Sequence, residues 1–162
     1  MCGITGMFSV NGVYKYKNAI MTANHIIEHR GPDGDGFVFL NSHNAKSSSI
    51  FSSEAGEANN IGEISANIAL AHRRLAILDL SPTGRQPMSN EDKTIWITFN
   101  GEIYNYLELR QVLIEKGYLF HSSSDTEVII HSYEEWGEGC VDRFNGMWAF
   151  ALVDLRNRTI LC

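Results

Sequence analysis

The chain has 162 residues, 44% apolar and 20% charged, with a formal net charge of −6 from 13 Lys+Arg against 19 Asp+Glu. That length supports one domain with a proper core, since a chain of about 150 residues buries roughly 68–70% of its unfolded surface, and two full domains would be cramped. The acidic balance without a Lys/Arg cluster argues against a dedicated nucleic-acid binder. An ordinary composition excludes wholesale disorder and collagen-like repeats, and no apolar run approaches the ~20 residues of a membrane span.

The N-terminal residues Met1-Cys2-Gly3-Ile4-Thr5-Gly6-Met7-Phe8-Ser9-Val10 carry neither a basic region nor a sustained apolar stretch. They do not read as a secretory signal, so the expected compartment is the reducing cytoplasm. Residues 3–10 read as a strand. Ile20, Ala23 and Ile27 recur at helical spacing and predict a helix over 16–29. Gly31-Pro32-Asp33-Gly34-Asp35-Gly36 must break it, and Phe37 to Leu40 reads as the next strand. Residues 41–66, rich in Ser, Asn, Gly and Glu, read as a surface hairpin or mobile loop.

Residues 67–80 and 94–99 read as strands, the second rich in β-branched and aromatic residues and ended by the turn signal Asn100-Gly101. A helix is expected over 105–116, with Tyr106, Leu109 and Leu113 on one face and Gly117 as its stop. Ser124-Asp125-Thr126-Glu127 is a capping-box pattern before a helix over roughly 125–136, whose apolar face is Val128, Ile129, Tyr133 and Trp136. Residues 147–155 and 159–161 read as two strands joined by the polar turn Arg156-Asn157-Arg158. Strands and helices come in runs, without strict βαβ alternation, which favours a layered α+β fold over a Rossmann sheet.

The three cysteines, Cys2, Cys140 and Cys162, are far apart and form no C-x-x-C. Neither a disulfide framework nor a zinc pattern follows, and Cys140 and Cys162 read as plain thiols. Cys2 differs by position. A chain starting Met-Cys is expected to lose Met1, because the second residue is small. The thiol then lies one residue's width from its own α-amine. A free thiol has a pKa of about 8.5 and an α-amine about 7.7–8.0, so the amine can serve as a built-in general base. A cysteine at position two also reads, on its own, as a small residue at a chain end.

Several strings set Cys2 in context. They are Met1-Cys2-Gly3-Ile4-Thr5-Gly6, His29-Arg30-Gly31-Pro32-Asp33 and His72-Arg73-Arg74-Leu75-Ala76-Ile77-Leu78-Asp79. Thr83-Gly84-Arg85-Gln86-Pro87-Met88, Asn100-Gly101-Glu102-Ile103-Tyr104-Asn105, Ser124-Asp125-Thr126-Glu127 and Phe144-Asn145-Gly146-Met147-Trp148-Ala149-Phe150 follow. In this order, across nearly the whole chain, they resemble the glutaminase domain of class II glutamine amidotransferases, the N-terminal-nucleophile (Ntn) hydrolases. Within that class the chain is similar to the asparagine synthetase branch.

The resemblance implies a four-layer αββα sandwich of two antiparallel sheets, here lacking the last strands of the usual domain. It implies that residues 1–162 are a C-terminally truncated glutaminase domain, without the synthetase domain that consumes ammonia. A fragment and a stand-alone module are both consistent with this. Cys2 would attack the carboxamide carbon of L-glutamine, releasing ammonia and leaving a γ-glutamyl thioester for water to cleave. Asn100 and Gly101 would supply the two oxyanion donors. Arg74 would take the substrate α-carboxylate in a planar fork. Asp125 and Glu102 would take the α-ammonium, although a carboxylate at a helix start is favoured on structural grounds alone. Leu75, Ala76, Ile77 and Leu78 would line the pocket, and the loop at His29–Asp33 would close over the substrate. Tyr104 and Asn105 would support the Asn100-Gly101 turn. Ser123 stands where the family often has Gly.

The six histidines lack metal-ligand spacing, and His131 reads as a surface or boundary residue of an amphipathic helix. No P-loop or G-x-G-x-x-G is present, so this segment alone is not expected to bind a nucleotide. The resemblance implies no cofactor and no metal for this domain, with ATP and Mg expected only in the missing synthetase domain. The expected partners are L-glutamine and a C-terminal synthetase domain acting on aspartate. No nucleic acid and no membrane are expected, and a homodimer is compatible. Two alternatives stay open: an amidotransferase for another acceptor, such as a sugar or peptide precursor, and a non-catalytic interaction module on the same scaffold.

Overall fold

A computed structural model describes residues 2–13, 16–51, 65–76, 79 and 81–162. In chain order its regular elements are β1 (Gly3–Phe8), α1 (Lys17–Ile26), β2 (Gly34–Asn41), β3 (Lys46–Phe51), β4 (Ile68–Arg74), β5 (Met88–Ser89), β6 (Ile95–Ile103), α2 (Tyr106–Glu115), α3 (Asp125–Trp136), β7 (Gly146–Asp154) and β8 (Thr159–Leu161). Two four-stranded sheets result, in the orders β1-β4-β2-β3 and β5-β6-β7-β8. Every neighbouring pair is antiparallel.

Alternation along the strands sorts side chains into three apolar layers. On β4, Ala69 and Ala71 join Phe37, Phe39 and Ile20 of α1 on one face. Ile68 and Leu70 point the other way, to Trp96 and Val153 of the second sheet. On β6, Ile95, Ile97, Phe99 and Ile103 face α2 and α3, packing on Leu109, Leu113, Val128 and Ile129. The order is therefore helix, sheet, sheet, helix pair, the four-layer αββα sandwich that the resemblance implies. Each fully buried aliphatic side chain contributes about 1.5–3 kcal/mol. No helix among the described residues is long and apolar enough to cross a membrane.

Four local expectations are corrected. The strand expected over 67–80 stops at Arg74, because the next backbone groups turn to distant partners: Leu75 N–H to Cys2 Sγ and Ala76 N–H to Asp33. Ile77, Leu78 and Leu80, like Met1 and residues 52–64, lie outside the described residues. Asn100-Gly101 does not end β6, which runs on to Ile103 in unbroken register with β7. Tyr104 and Asn105 consequently support a different turn: Asn105 Nδ2 donates to Arg143 O at 2.9 Å, and Asn145 N–H donates to Asn105 Oδ1 at 2.9 Å. His131 is 2% exposed, since α3 is buried on all sides from Asp125 to Tyr133.

Ser124 caps α3 by accepting from Thr126 N–H at 3.1 Å. Glu127 does not close the reciprocal half of a capping box. Its carboxylate accepts instead from His121 N–H and Ser122 N–H, at 2.8 and 2.7 Å, and so ties down the loop that leads into the helix. The hairpin half of the 41–66 reading holds, because β2 and β3 pair from Gly36–Phe51 to Asn41–Lys46. The helix expected over 16–29 is α1 followed by a separate 3₁₀ turn at Glu28–Arg30.

Candidate functional site

The side of β4 that carries Leu70 also carries His72 and Arg74, and the side of β6 that carries Trp96 also carries Thr98, Asn100 and Glu102. The apolar space between the sheets thus becomes polar towards one end. There it opens into a cavity of about 270 Å³. Cys2, Arg74, Leu75, Ala76, Asn100, Gly101, Glu102 and Asp125 all line it. Every site residue expected from the sequence is brought together except Ile77 and Leu78, which fall outside the described residues.

Cys2 precedes β1, where Gly3 pairs with Arg73 and Ile4 with His72. A side chain at Gly3 would meet Ile27 Cδ1 at 2.8 Å. Position 3 is thus the face that packs on the helical layer, and Cys2 takes the opposite one. The thiol is held by the backbone of a single residue, accepting from Leu75 N–H at 3.3 Å and approaching Leu75 O at 3.6 Å. Arg30 Nε donates to Cys2 O at 3.0 Å. The His29–Asp33 segment does not cover the cavity and contributes no lining residue. It braces the site from behind: Asp33 N–H donates to Arg74 O at 3.0 Å, and Asp33 Oδ2 accepts from Ala76 N–H at 2.9 Å. Gly31 is required there, because a Cβ would strike the Arg73 carbonyl group.

The odd-numbered residues of β6 direct their backbone groups away from β7. Phe99 N–H donates to Gln86 Oε1 at 2.6 Å, and Ile103 N–H donates to Asp125 Oδ2 at 3.0 Å. Gly101 lies between them, so its N–H points to the same edge, at the cavity wall. A Cβ at Gly101 would collide with the Met147 carbonyl oxygen and with Trp148 Cα, which explains a glycine inside a central strand. Asn100 stands beside it, with Oδ1 buried and without a hydrogen-bond partner among the described residues. An amide side chain and a backbone N–H directed to the cavity wall, on one strand, form a donor pair of the kind that stabilises a developing oxyanion.

Charge is divided across the cavity. Arg74 Nη2 donates to the carbonyls of Asp79 and Ser81, at 3.0 Å in the second case, which orients the guanidinium. Asp125 is 5% exposed. Burial pushes its carboxyl above the usual carboxylate range, the nearby Glu102 charge adds to this, and the Ile103 N–H opposes it. A buried carboxylate raised in this way gains from taking up a cation. The cavity can therefore bind a small zwitterion, carboxylate towards Arg74 and ammonium towards Asp125 and Glu102.

Three residues outside the expected site set help to build the site. Asp79 accepts from Ser81 N–H at 2.8 Å and from Ser123 N–H at 3.0 Å, joining the loop that orients Arg74 to the loop that precedes Asp125. Gln86 bridges the two sides of the cavity, accepting from Phe99 N–H and donating to Thr126 Oγ1 at 3.1 Å. His72, 1% exposed, donates from Nε2 to Phe99 O at 3.2 Å. All three lie within the quoted strings. Arg73, on the opposite face of β4, leaves the site altogether: its Nε donates to Asn24 O at 3.0 Å.

Two histidines bound the pH range of stability. Burial holds His72 down at about 4, with the Phe99 hydrogen bond opposing and Arg74 adding to the shift. As pH falls from 6.5 to 4 the unfolded chain takes a proton that the folded one refuses, so up to about 3 kcal/mol is lost over that window. For His131, burial is outweighed by Glu127 and Glu134, the latter 2.8 Å from Nδ1, and the ring is pushed up to about 9. Its contribution is full below 6.5 and is lost as pH rises towards 9. Urea midpoints are expected to peak near neutrality. His72→Gln should flatten the slope between pH 4 and 6.5, and an unchanged slope would remove His72 as its source.

Residues 53–162 match the family described as glutamine amidotransferase domain. Asparagine synthetase (glutamine-hydrolyzing) 1 of Bacillus subtilis is 37% identical over 155 residues, which are 94% of this chain and 20% of that protein. Asparagine synthetase (glutamine-hydrolyzing) of Zea mays is 40% identical over 163 residues, covering 99% of this chain and 23% of that protein. The chain thus spans about a fifth to a quarter of the length of these relatives. Among solved structures, glutamine phosphoribosylpyrophosphate amidotransferase from B. subtilis, complexed with ADP and GMP, superposes with a TM-score of 0.70 at 21% identity, over 95% of this chain and 35% of that one. An allosteric regulatory enzyme of purine biosynthesis gives 0.66 at 22% identity, over 94% and 34%. At these identities the structures share the fold.

Proposed function

The chain belongs to the glutamine amidotransferase domain family, and from that premise we propose that it hydrolyses L-glutamine to glutamate and ammonia through a thioester on Cys2. One observation carries this reading: a single cavity holds a thiol from the start of the chain, the Asn100-Gly101 donor pair, and a cation facing two carboxylates. The Cys2 α-amine, once Met1 is removed, takes the thiol proton as sulfur attacks the carboxamide carbon. The electron pair of the C=O moves to oxygen, between Asn100 and Gly101. The tetrahedral intermediate collapses, the amide nitrogen leaves with the proton as ammonia, and water then hydrolyses the thioester. Arg74, Asp125 and Glu102 hold the substrate's backbone charges, so the side-chain amide alone reaches the sulfur.

The ammonia acceptor is proposed to be aspartate, activated by ATP and Mg in a C-terminal synthetase domain. The relatives that match nearly the whole chain, named as glutamine-hydrolyzing asparagine synthetases, support this acceptor. The lack of a membrane-crossing helix among the described residues is compatible with cytoplasmic work.

A diazoketone analogue of glutamine tests the assignment. One covalent equivalent is expected, mapped by peptide mass to Cys2, with Cys140 and Cys162 unmodified and glutamine protecting. Burial pushes the Cys140 thiol up to about 11, which makes that site unreactive. Labelling of a folded chain at another cysteine, or none at all, would leave the interaction-module reading instead.

A further inference from the structure

The apolar layer between the two sheets, formed by Val38, Leu40, Ile68, Leu70, Trp96 and Val153, fixes their spacing but not their relative slide, because hydrophobic contact has no direction. Two hydrogen bonds between β4 and β6 cross that layer. His72 Nε2 donates to Phe99 O at 3.2 Å, and Thr98 Oγ1 donates to Ala71 O at 3.2 Å. Both side chains are about 1% exposed. The links are reciprocal, since each strand offers one side chain to the other's backbone, at adjacent residues.

Their location gives them meaning. Phe99 O belongs to the peptide group that leads directly into Asn100. Its strand is therefore pinned twice at this residue, through the N–H by Gln86 and through the C=O by His72. On the other sheet, His72 lies opposite Ile4 of β1, two residues from Cys2, and Arg74 follows on the same face. The pair of bonds thus ties the strand carrying the oxyanion donors to the strands carrying the nucleophile and the carboxylate ligand.

We propose that His72 and Thr98 are positioning residues for glutamine hydrolysis, fixing the distance from the Cys2 sulfur to the Asn100-Gly101 donors. This rests on the function proposed above. The position of the oxyanion matters only once the tetrahedral intermediate forms, so the two residues act on turnover far more than on substrate affinity. A misplacement of about 1 Å at a reacting group can cost roughly 100-fold in rate. His72 remains neutral across the working range, so its Nε2–H stays available as the donor without burying a charge.

The test uses the full chain with His72→Leu, His72→Gln and Thr98→Val. His72→Leu is expected to lower kcat for glutamine by roughly 10–100-fold, with KM within about twofold. His72→Gln, which restores an N–H donor at similar reach, should recover most of the loss. Thr98→Val keeps its volume and should lower kcat several-fold, again at constant KM. Alkylation of Cys2 by iodoacetamide, which forms no oxyanion, should proceed at the wild-type rate in all three. Should His72→Leu not fold, the isosteric Thr98→Val decides. Wild-type kcat in the folded variants, or a parallel loss of kcat and alkylation that His72→Gln does not rescue, would overturn the positioning role. A wild-type chain without glutaminase activity, or a Cys2→Ala chain that retains it, removes the proposed function itself and this inference with it.

Discussion

Cys2→Ala is expected to lower ammonia release from glutamine by about 10⁴–10⁶-fold, the range seen when an enzyme loses its nucleophile but keeps its oxyanion donors and binding groups. The fold should survive. The sulfur's hydrogen-bond partners are the two backbone polar groups of one residue, Leu75 N–H and Leu75 O. Losing a half-buried thiol at that point leaves one N–H short of an acceptor, worth about 1 kcal/mol, which for a domain of this size is roughly a 2–4 °C change in Tm. Glutamine binding should persist, because Arg74, Asp125 and Glu102 are untouched. Calorimetric titration of Cys2→Ala with glutamine, set beside ammonia release and a thermal melt, separates the three quantities. Ammonia released at the wild-type rate would show that another group is the nucleophile. Intact mass of the active wild-type chain should lack Met1, since an extra residue would convert the general base into an amide.

The layers of the sandwich were legible because they depend on local periodicity. Residues 94–99 are rich in the β-branched and aromatic side chains that a buried strand needs, and Tyr106, Leu109 and Leu113 repeat as a helix face must. What misled was local chemistry overruled by distant partners. Asn100-Gly101 carries the strongest short-range turn signal there is. Yet β7 pairs straight through it, and the absence of a side chain at Gly101 serves the close approach of Met147 and Trp148, not a turn. The apolar run from Leu75 onwards reads as more strand, but its first two N–H groups bond to Cys2 and Asp33, 73 and 43 residues away.

The same limit applies to the site. Cys2, Arg74, Asn100 and Asp125 could be named because a terminal thiol and an order of strings point to chemistry. Gln86, His72 and Asp79 could not, because their roles lie in hydrogen bonds to Phe99, 13 and 27 residues away, and to Ser123, 44 residues away. His131 was misjudged for a related reason: its helix shows an ordinary amphipathic pattern, whereas the ring is enclosed between Tyr118 and Phe120 from a neighbouring loop. Sequence periodicity describes the face an element turns to the core and is silent on what folds over the other face.

Asn100→Ala is expected to separate catalysis from stability, with opposite signs. Removing one oxyanion donor typically lowers kcat by about 10²–10³-fold, and because the donor acts on the intermediate, KM for glutamine should change little. Stability should not fall with it. Asn100 Oδ1 is buried without a partner among the described residues, so the folded chain already carries the desolvation cost of that atom, on the order of 1–3 kcal/mol. Alanine removes the cost and retains the β6–β7 pairing, which runs through backbone groups opposite Ala149. The expected result is a Tm equal to or above that of the wild type in a chain of greatly reduced turnover. A structural asparagine would give the reverse pattern, a lower Tm with activity reduced only in proportion to the unfolded fraction. A thermal melt and a steady-state glutaminase assay on the same preparation distinguish the two. The unpaired carbonyl is then understood as strain held at a catalytic position, tolerated because the other end of the same amide is needed in the transition state.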